Sequence, residues 1–325
     1  MRSLLAAAGP LVLICVLGAA VQAAPHKPAG EPPPPRLEGI WSVNSTTKLE
    51  RPSVYPSLVI TPAQERAIPP PRVFGDDDVG QEETEWQDEG WRLARVAGQI
   101  RTSWLVDPAD GRLPYTQAGL KLLSRPYTGD GPESRSTNDR CLPYMSAGPP
   151  MLNAGGSNIW QIVQTRDHVV VVLEGNHETR IIPLGPKGAA APPAEPPIWL
   201  GHSQGWYEGD TLVVRSTGFH PEQSLRRSAF ARLYLSSDAV VTERFRRISQ
   251  DQILYAFEVH DPKVFSRDWR AEMPLNASRG PQYEVGCHEG NYSMTGILAG
   301  ARREEQDARE AAARAASAGQ RAPAR

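Results

Sequence analysis

Short apolar runs separated by turn-forming residues recur along this chain, and their spacing predicts strands rather than helices. The strongest lies between Asn158 and Leu184. Val169 to Leu173 is an unbroken, β-branched apolar run too short for a helix, so it predicts a buried strand. Gly175-Asn176 predicts a turn, and His177 to Ile182 the returning strand. Further on, Gly205 to Glu208 and Thr211 to Gly218 pair across Gly209-Asp210, and Ala239 to Ile248 pairs with Ile253 to His260 across Ser249 to Gln252. In the last of these, Ile253, Tyr255, Phe257 and Val259 alternate with Leu254, Ala256, Glu258 and His260, the period of a sheet with one better-buried face. Val264 to Met273 predicts another strand. Nearer the N-terminus, Trp91 to Val96, Ile100 to Val106 and Arg112 to Thr116 read as strands, the last turning back at Asp107 to Gly111. Gln117 to Arg125 predicts a short helix with Leu120, Leu122 and Leu123 on its apolar side.

These elements predict an all-β fold, a single antiparallel barrel or strongly curved sheet with a short internal helix. Four segments are expected. Residues 1–23 carry a basic start, the apolar run Leu4 to Ala20 and the small residues of Val21-Gln22-Ala23, the pattern of a signal peptide cleaved before Ala24. Residues 24–36 form a Pro-rich linker, 37–298 the barrel-like domain, and 299–325 a helical tail rich in Ala, Arg and Glu, with Glu305-Arg309 and Glu310-Arg314 at the favourable spacing. Trp41 and Trp160 are expected in the core. No later run is long and apolar enough to span a membrane, so the mature chain is expected to be periplasmic or secreted, without a membrane span.

Charge narrows the partners. Without Arg2 the chain has 34 basic and 37 acidic residues, which gives no polyanion-binding balance, so no nucleic-acid partner is expected. The acids between Asp76 and Glu89 lack the alternation of a calcium loop and read as an exposed acidic loop. Outside the leader only Cys141 and Cys287 remain, and in an oxidising compartment they are expected to form a disulfide.

Several stretches carry a resemblance: Trp104 to Tyr115, Arg140-Cys-Leu142, Gly148-Pro-Pro-Met151, Glu174-x-x-His177-x-x-Arg180, Glu208-Gly-Asp-Thr-Leu-Val-Val214, Asp261-Pro262 and Cys287-His-Glu-Gly-Asn-Tyr292. Together they resemble an uncharacterised family of exported bacterial proteins. The resemblance covers Trp104 to Arg303 and implies one unified domain, with no activity attached. Departures from that pattern are His202 before Ser203, Trp206-Tyr207 where Arg-Trp is usual, and Leu184-Gly-Pro-Lys-Gly188. The Gly39-Ile-Trp41 start is similar to that of lipocalin-like barrels, which implies a Trp plugging the closed end and a Gly that admits close backbone approach.

Candidate chemistry gathers where the central apolar hairpin turns, since charged groups beside a buried sheet must be paired, solvated or functional. Glu174 and His177, with His288-Glu289 fixed by the expected disulfide, supply acid–base pairs. Arg180 would steady negative charge, and Trp206 could line an apolar pocket. Three readings stay open: a structural polar cluster with Arg180 paired to Glu174, a ligand or catalytic site, and a metal site. Zinc needs three or four converging ligands, and the two thiols are consumed by each other, so no metal or other cofactor is expected. Gly201-His-Ser-Gln-Gly205 matches a nucleophile pattern but lacks the strand-to-helix elbow that the pattern requires. The favoured function is binding of a small, partly apolar molecule in the barrel. The alternatives are an enzyme of lyase, isomerase or hydrolase type using the same residues, and a structural or partner-binding protein.

Overall fold

A computed structural model describes residues 35–68, 92–124, 131, 135–137, 139–144, 147–154, 156, 158–189, 196–222, 226–227 and 232–320. The expected signal peptide, most of the Pro-rich linker and the acidic loop lie outside the described residues. In chain order, β1 (Gly39–Ser42), β2 (Val59–Ile60), helix α1 (Pro62–Ala67), β3 (Arg95–Val96), β4 (Gln99–Arg101), β5 (Leu105–Asp107) and helix α2 (Gln117–Leu123) come first. Then follow β6 (Ile159–Gln164), β7 (His168–Leu173), β8 (Thr179–Pro183), β9 (His202–Glu208) and β10 (Thr211–Thr217). After β11 (Arg226–Arg227) and β12 (Arg232–Leu233) come β13 (Val240–Arg247), β14 (Gln252–His260), β15 (Trp269–Ala277) and helix α3 (Tyr292–Gln320).

The main sheet runs β8-β7-β6-β1-β15-β14-β13-β10-β9, with β5 added to β15, and each of these strand pairings is antiparallel. It curls into a nearly closed barrel, so the all-β expectation holds. Its two ends, β8 and β9, meet at a parallel bridge between Leu184 and Gly205. Inward positions follow the two-residue period: Val169, Val171 and Leu173 on β7, Ile253, Tyr255, Phe257 and Val259 on β14, and Trp269, Ala271, Met273 and Leu275 on β15 are buried. Trp41 and Trp160 are buried as expected. The Trp41 indole donates to Leu37 O at 2.9 Å and lies over Gly39, where a Cβ would sit 3.4 Å from its nitrogen; Gly39 has a φ of +146°, which favours glycine.

Several elements differ from the sequence reading. Val264 and Phe265 are buried, but in a turn: both backbone N–H groups donate to Asp261 O, and β15 starts only at Trp269. The Asp261 carboxylate, itself buried, accepts from Ser236 N and Oγ and so holds that corner. Arg112 to Thr116 forms no strand; Tyr115 makes only an isolated bridge to Phe265. Ile100 to Val106 divides into β4 and β5, because β4 joins a small separate sheet, β2-β4-β3, over its own cluster of Tyr55, Ile60, Leu93 and Ile100. Helix α1 beside that sheet is capped by Thr61 through a capping box with Gln64, and no element is expected there from the sequence. In α2, Leu120 faces solvent and Gly119 is buried, where a Cβ would meet Val264 O at 2.4 Å. Helix α3 starts seven residues before the expected tail and is almost wholly exposed. Among the described residues, no helix is long and apolar enough to cross a membrane.

Candidate functional site

The inward period carries polar residues as well as apolar ones. Arg180 on β8, Ser203 on β9, Ser216 on β10, Glu243 on β13 and Tyr255 on β14 all turn toward one another inside the barrel. The Arg180 guanidinium donates through Nη1 and Nη2 to the two Glu243 oxygens at 2.9 and 2.6 Å, a two-pronged ion pair. Both side chains are almost fully shielded, at 2 % and 0 % exposure. Tyr255 donates its hydroxyl to Glu243 Oε1 at 2.6 Å, and Met151 N donates to the same hydroxyl at 2.9 Å. Ser203 and Ser216 sit near Nη2 at 3.3 and 3.4 Å and bond to each other at 2.8 Å. Burial works against the Arg180 cation, but the Glu243 charge and hydrogen bonds outweigh it and leave its pKa raised. Burial, reinforced by Glu243, pushes the Tyr255 phenol far up, so it keeps its proton and remains a donor.

Arg180 is also where this interior borders a cleft. A cleft of about 500 Å³ opens along the β8–β9 seam. One wall is Glu178 to Ile181; the other is Ile198 to Gly201 with Ser203; Cys141, Leu142 and Pro143 form the rim. That volume lies within the range of small-molecule sites, roughly 300–1,000 Å³, and the mixture of apolar side chains with a few polar groups is typical of them. Trp199 in the wall stacks on His220, with ring centroids 4.1 Å apart, and the Arg140 guanidinium lies 5.6 Å from its ring centre. The cleft exists because the seam is closed only at one end. Gly185 N donates to Gly205 O at 2.9 Å and Gln204 Nε2 to Pro183 O at 2.9 Å, whereas no backbone pair joins Thr179–Ile181 to Ser203 among the described residues.

Cys141 and Cys287 are disulfide-bonded, as expected. The bond ties the segment before α3 across the central hairpin. Gly175 bridges Val285, Asn176 N donates to Val285 O at 3.1 Å, Asn176 Nδ2 donates to Leu142 O, and Tyr283 N donates to Glu174 Oε1 at 3.0 Å. The turn itself sits one residue later than expected: Asn176 and His177 have φ of 54° and 52°, and β8 begins at Thr179. Gly175 is required by contact, since a Cβ there would lie 2.4 Å from the Tyr144 ring. Gly175→Ala is therefore expected to cost about 1–3 kcal/mol, checked by urea denaturation.

The expected site residues are thus distributed. Arg180 lines the cleft, but its carboxylate partner is Glu243 and not Glu174. Glu174 is buried and accepts the Tyr283 backbone donor. His177 is exposed at the turn, 3.8 Å from exposed Glu284, and His288 and Glu289 are exposed in the single 3-10 turn before α3. Trp206 donates to Glu208 at 3.0 Å and does not line the cleft. Ser203 lies mid-strand beside Arg180 and Ser216, without the strand-to-helix elbow of a nucleophile. The residues that sequence reasoning missed are Glu243, Tyr255, Ser216, Trp199 and Glu178.

Burial pushes the Glu178 carboxyl up, against a smaller lowering by a backbone hydrogen bond from Tyr144. A carboxyl raised by folding keeps its proton where the unfolded chain has lost it. Stability therefore falls as pH climbs from the unfolded value through the folded one. Glu178→Gln is expected to match the parent at about pH 3.5 and to exceed it at about pH 8, read from denaturation midpoints at both. Equal differences at the two pH values would refute this.

No protein-family model, no curated protein and no solved structure matches this chain.

Proposed function

We propose that this is an exported protein that binds a small, partly apolar molecule in the β8–β9 seam cleft. One observation carries the reading: Leu142, Pro143, Ile181, Ile198, Trp199 and Leu200 converge on a cleft that also includes the buried Arg180. A buried polar floor orients a ligand, and the apolar walls supply the transfer free energy. Buried side chains occupy the interior behind the floor, which favours the seam over the barrel lumen. Export is supported by the leader-like pattern of residues 1–23 and by the disulfide.

The test is a thermal-shift panel of small neutral and charged molecules against the parent, Trp199→Ala and Ile181→Glu. A ligand at a hundredfold its Kd stabilises by about 2.7 kcal/mol, enough to move the melting temperature measurably. Hits are expected to lose most of that shift in both variants. Hits whose shifts persist unchanged in both would place binding elsewhere and refute the proposal.

A further inference from the structure

The seam dictates which backbone groups face the cleft. On β8, Leu173 N donates to Glu178 O at 2.8 Å and Leu184 N donates to Asp167 O at 2.8 Å. Both bonds fall on the register that joins β7 to β8, so the even-numbered residues of β8 are spent on that ladder. Thr179, Ile181 and Pro183 direct their backbone groups to the other side, and Pro183 O accordingly accepts from Gln204 across the seam. On β9, the two-residue turn Gly209-Asp210 makes Glu208 and Thr211 a bonded pair, which commits the even-numbered residues to β10. Ser203 and Gly205 then face the seam, and Gly205 O accepts from Gly185 N. Where the seam is open, the N–H and C=O of Thr179, Ile181 and Ser203 have no backbone partner among the described residues, and all three line the cleft.

Charge selects among molecules that such an edge can hold. The Arg180 cation is already matched by Glu243, and only its Nε lacks an acceptor among the described residues. The other ionisable side chain in the lining is Glu178, since Cys141 is disulfide-bonded. Arg140 lies against Trp199 and not in the lining. A carboxylate entering this cleft meets no uncommitted lining cation and would share space with Glu178. The bridge at Leu184–Gly205, a few residues along, leaves one short stretch of open edge.

We propose that the ligand is a neutral amide: an apolar body resting on Trp199 and Ile181, with a planar amide edge that accepts from and donates to the unpaired backbone of β8 and β9. This deepens the binding reading above and rests on it. The amide is the one common neutral group that offers donor and acceptor side by side, as a neighbouring strand does.

The test uses the disulfide-intact mature protein, labelled with nitrogen-15, titrated at neutral pH with isocaproamide, methyl isocaproate and isocaproate, which share one apolar body and differ only in ending as amide, ester or carboxylate. The amide is expected to bind about tenfold tighter than either, the worth of one good hydrogen bond, and to shift the backbone signals of Thr179, Ile181 and Ser203. Ile181→Pro removes the seam-facing N–H without touching the β7 ladder, a placement that Pro183 already occupies in the same strand. It is expected to weaken amide binding about tenfold relative to Ile181→Ala, which removes the side chain and keeps the donor. Acid or ester binding as tightly as amide would overturn the inference and leave cleft binding standing, as would equal affinity of the Pro and Ala variants. If none of the three probes shifts any cleft signal, the inference and the binding reading fall together. The probe comparison on the unaltered chain decides the matter should Ile181→Pro not fold.

Discussion

Glu243→Gln is expected to destabilise the protein by about 3–5 kcal/mol, among the largest effects of any single polar substitution. The change is isosteric, so it opens no cavity. What it removes is the counter-charge of a guanidinium with 2 % of its side chain exposed, leaving a buried cation with only neutral acceptors. The Tyr255 hydroxyl, squeezed between Met151 N and Glu243 Oε1, would also lose a charged acceptor. Guanidinium denaturation followed by tryptophan emission and by circular dichroism measures the loss. Replacing both partners, Arg180→Met with Glu243→Leu, is expected to recover most of it, because two apolar side chains of similar volume need no desolvation. A Glu243→Gln variant whose stability stays within about 1 kcal/mol of the parent, on the order of one surface ion pair, would show that solvent reaches the cluster through the cleft.

The second large effect is expected from the disulfide. Chain entropy gives about 5 kcal/mol as the most that closing a loop of this length can contribute, and removing native disulfides typically costs about 2–5 kcal/mol. The Cys141→Ser, Cys287→Ser protein should fall in that range. The damage should also be local. Residues 282–291 are held over the central hairpin by bonds to Glu174, Asn176 and the β6–β7 backbone, several of them near the surface. Native-state hydrogen exchange is expected to quicken at Asn176 and Tyr283 far more than at Tyr255, deep in the barrel. An unchanged denaturation midpoint in the double Ser variant would rule out a stabilising role.

How far the sequence can be read depends on whether the signal is local. The β9–β10 and β13–β14 hairpins lie close to where their turns and alternation put them, because a two-residue turn and a two-residue period are both short-range facts. Val264-Phe265 misleads because an apolar pair signals burial without saying which backbone delivers it; the turn that buries them is set by Asp261, whose partner Ser236 is distant in sequence. The site is half legible. Arg180 stands out as a charge beside an apolar run, but its partner does not, although the clue is present. Val241 and Phe245 are apolar at alternate positions and Glu243 lies between them on the same face, an acid at an inward position. Pairing it with Arg180 needs the curl that brings β8 near β13, and no window of sequence contains that. The histidines fail for a different reason. His177 and His288 stand out by their chemistry alone, while a one-residue shift of the turn is enough to move His177 out of the strand.

Strand β1 lies between β6 and β15, so the first strand of the main sheet is also hemmed in by its last. A chain that emerges N-terminus first can pair β1 with β6 once residue 164 is out, but the other edge of β1 stays bare until Ala277 arrives. While more than a hundred further residues emerge, the forming barrel is an open sheet with an unsatisfied edge, the configuration most prone to joining a neighbouring chain. Cys287 appears ten residues later still, after β15 is complete. The disulfide can therefore close only after the last strand has emerged, and a chain cut short before Ala277 would carry both a bare edge and a lone thiol at Cys141, open to aggregation or capture by a chaperone.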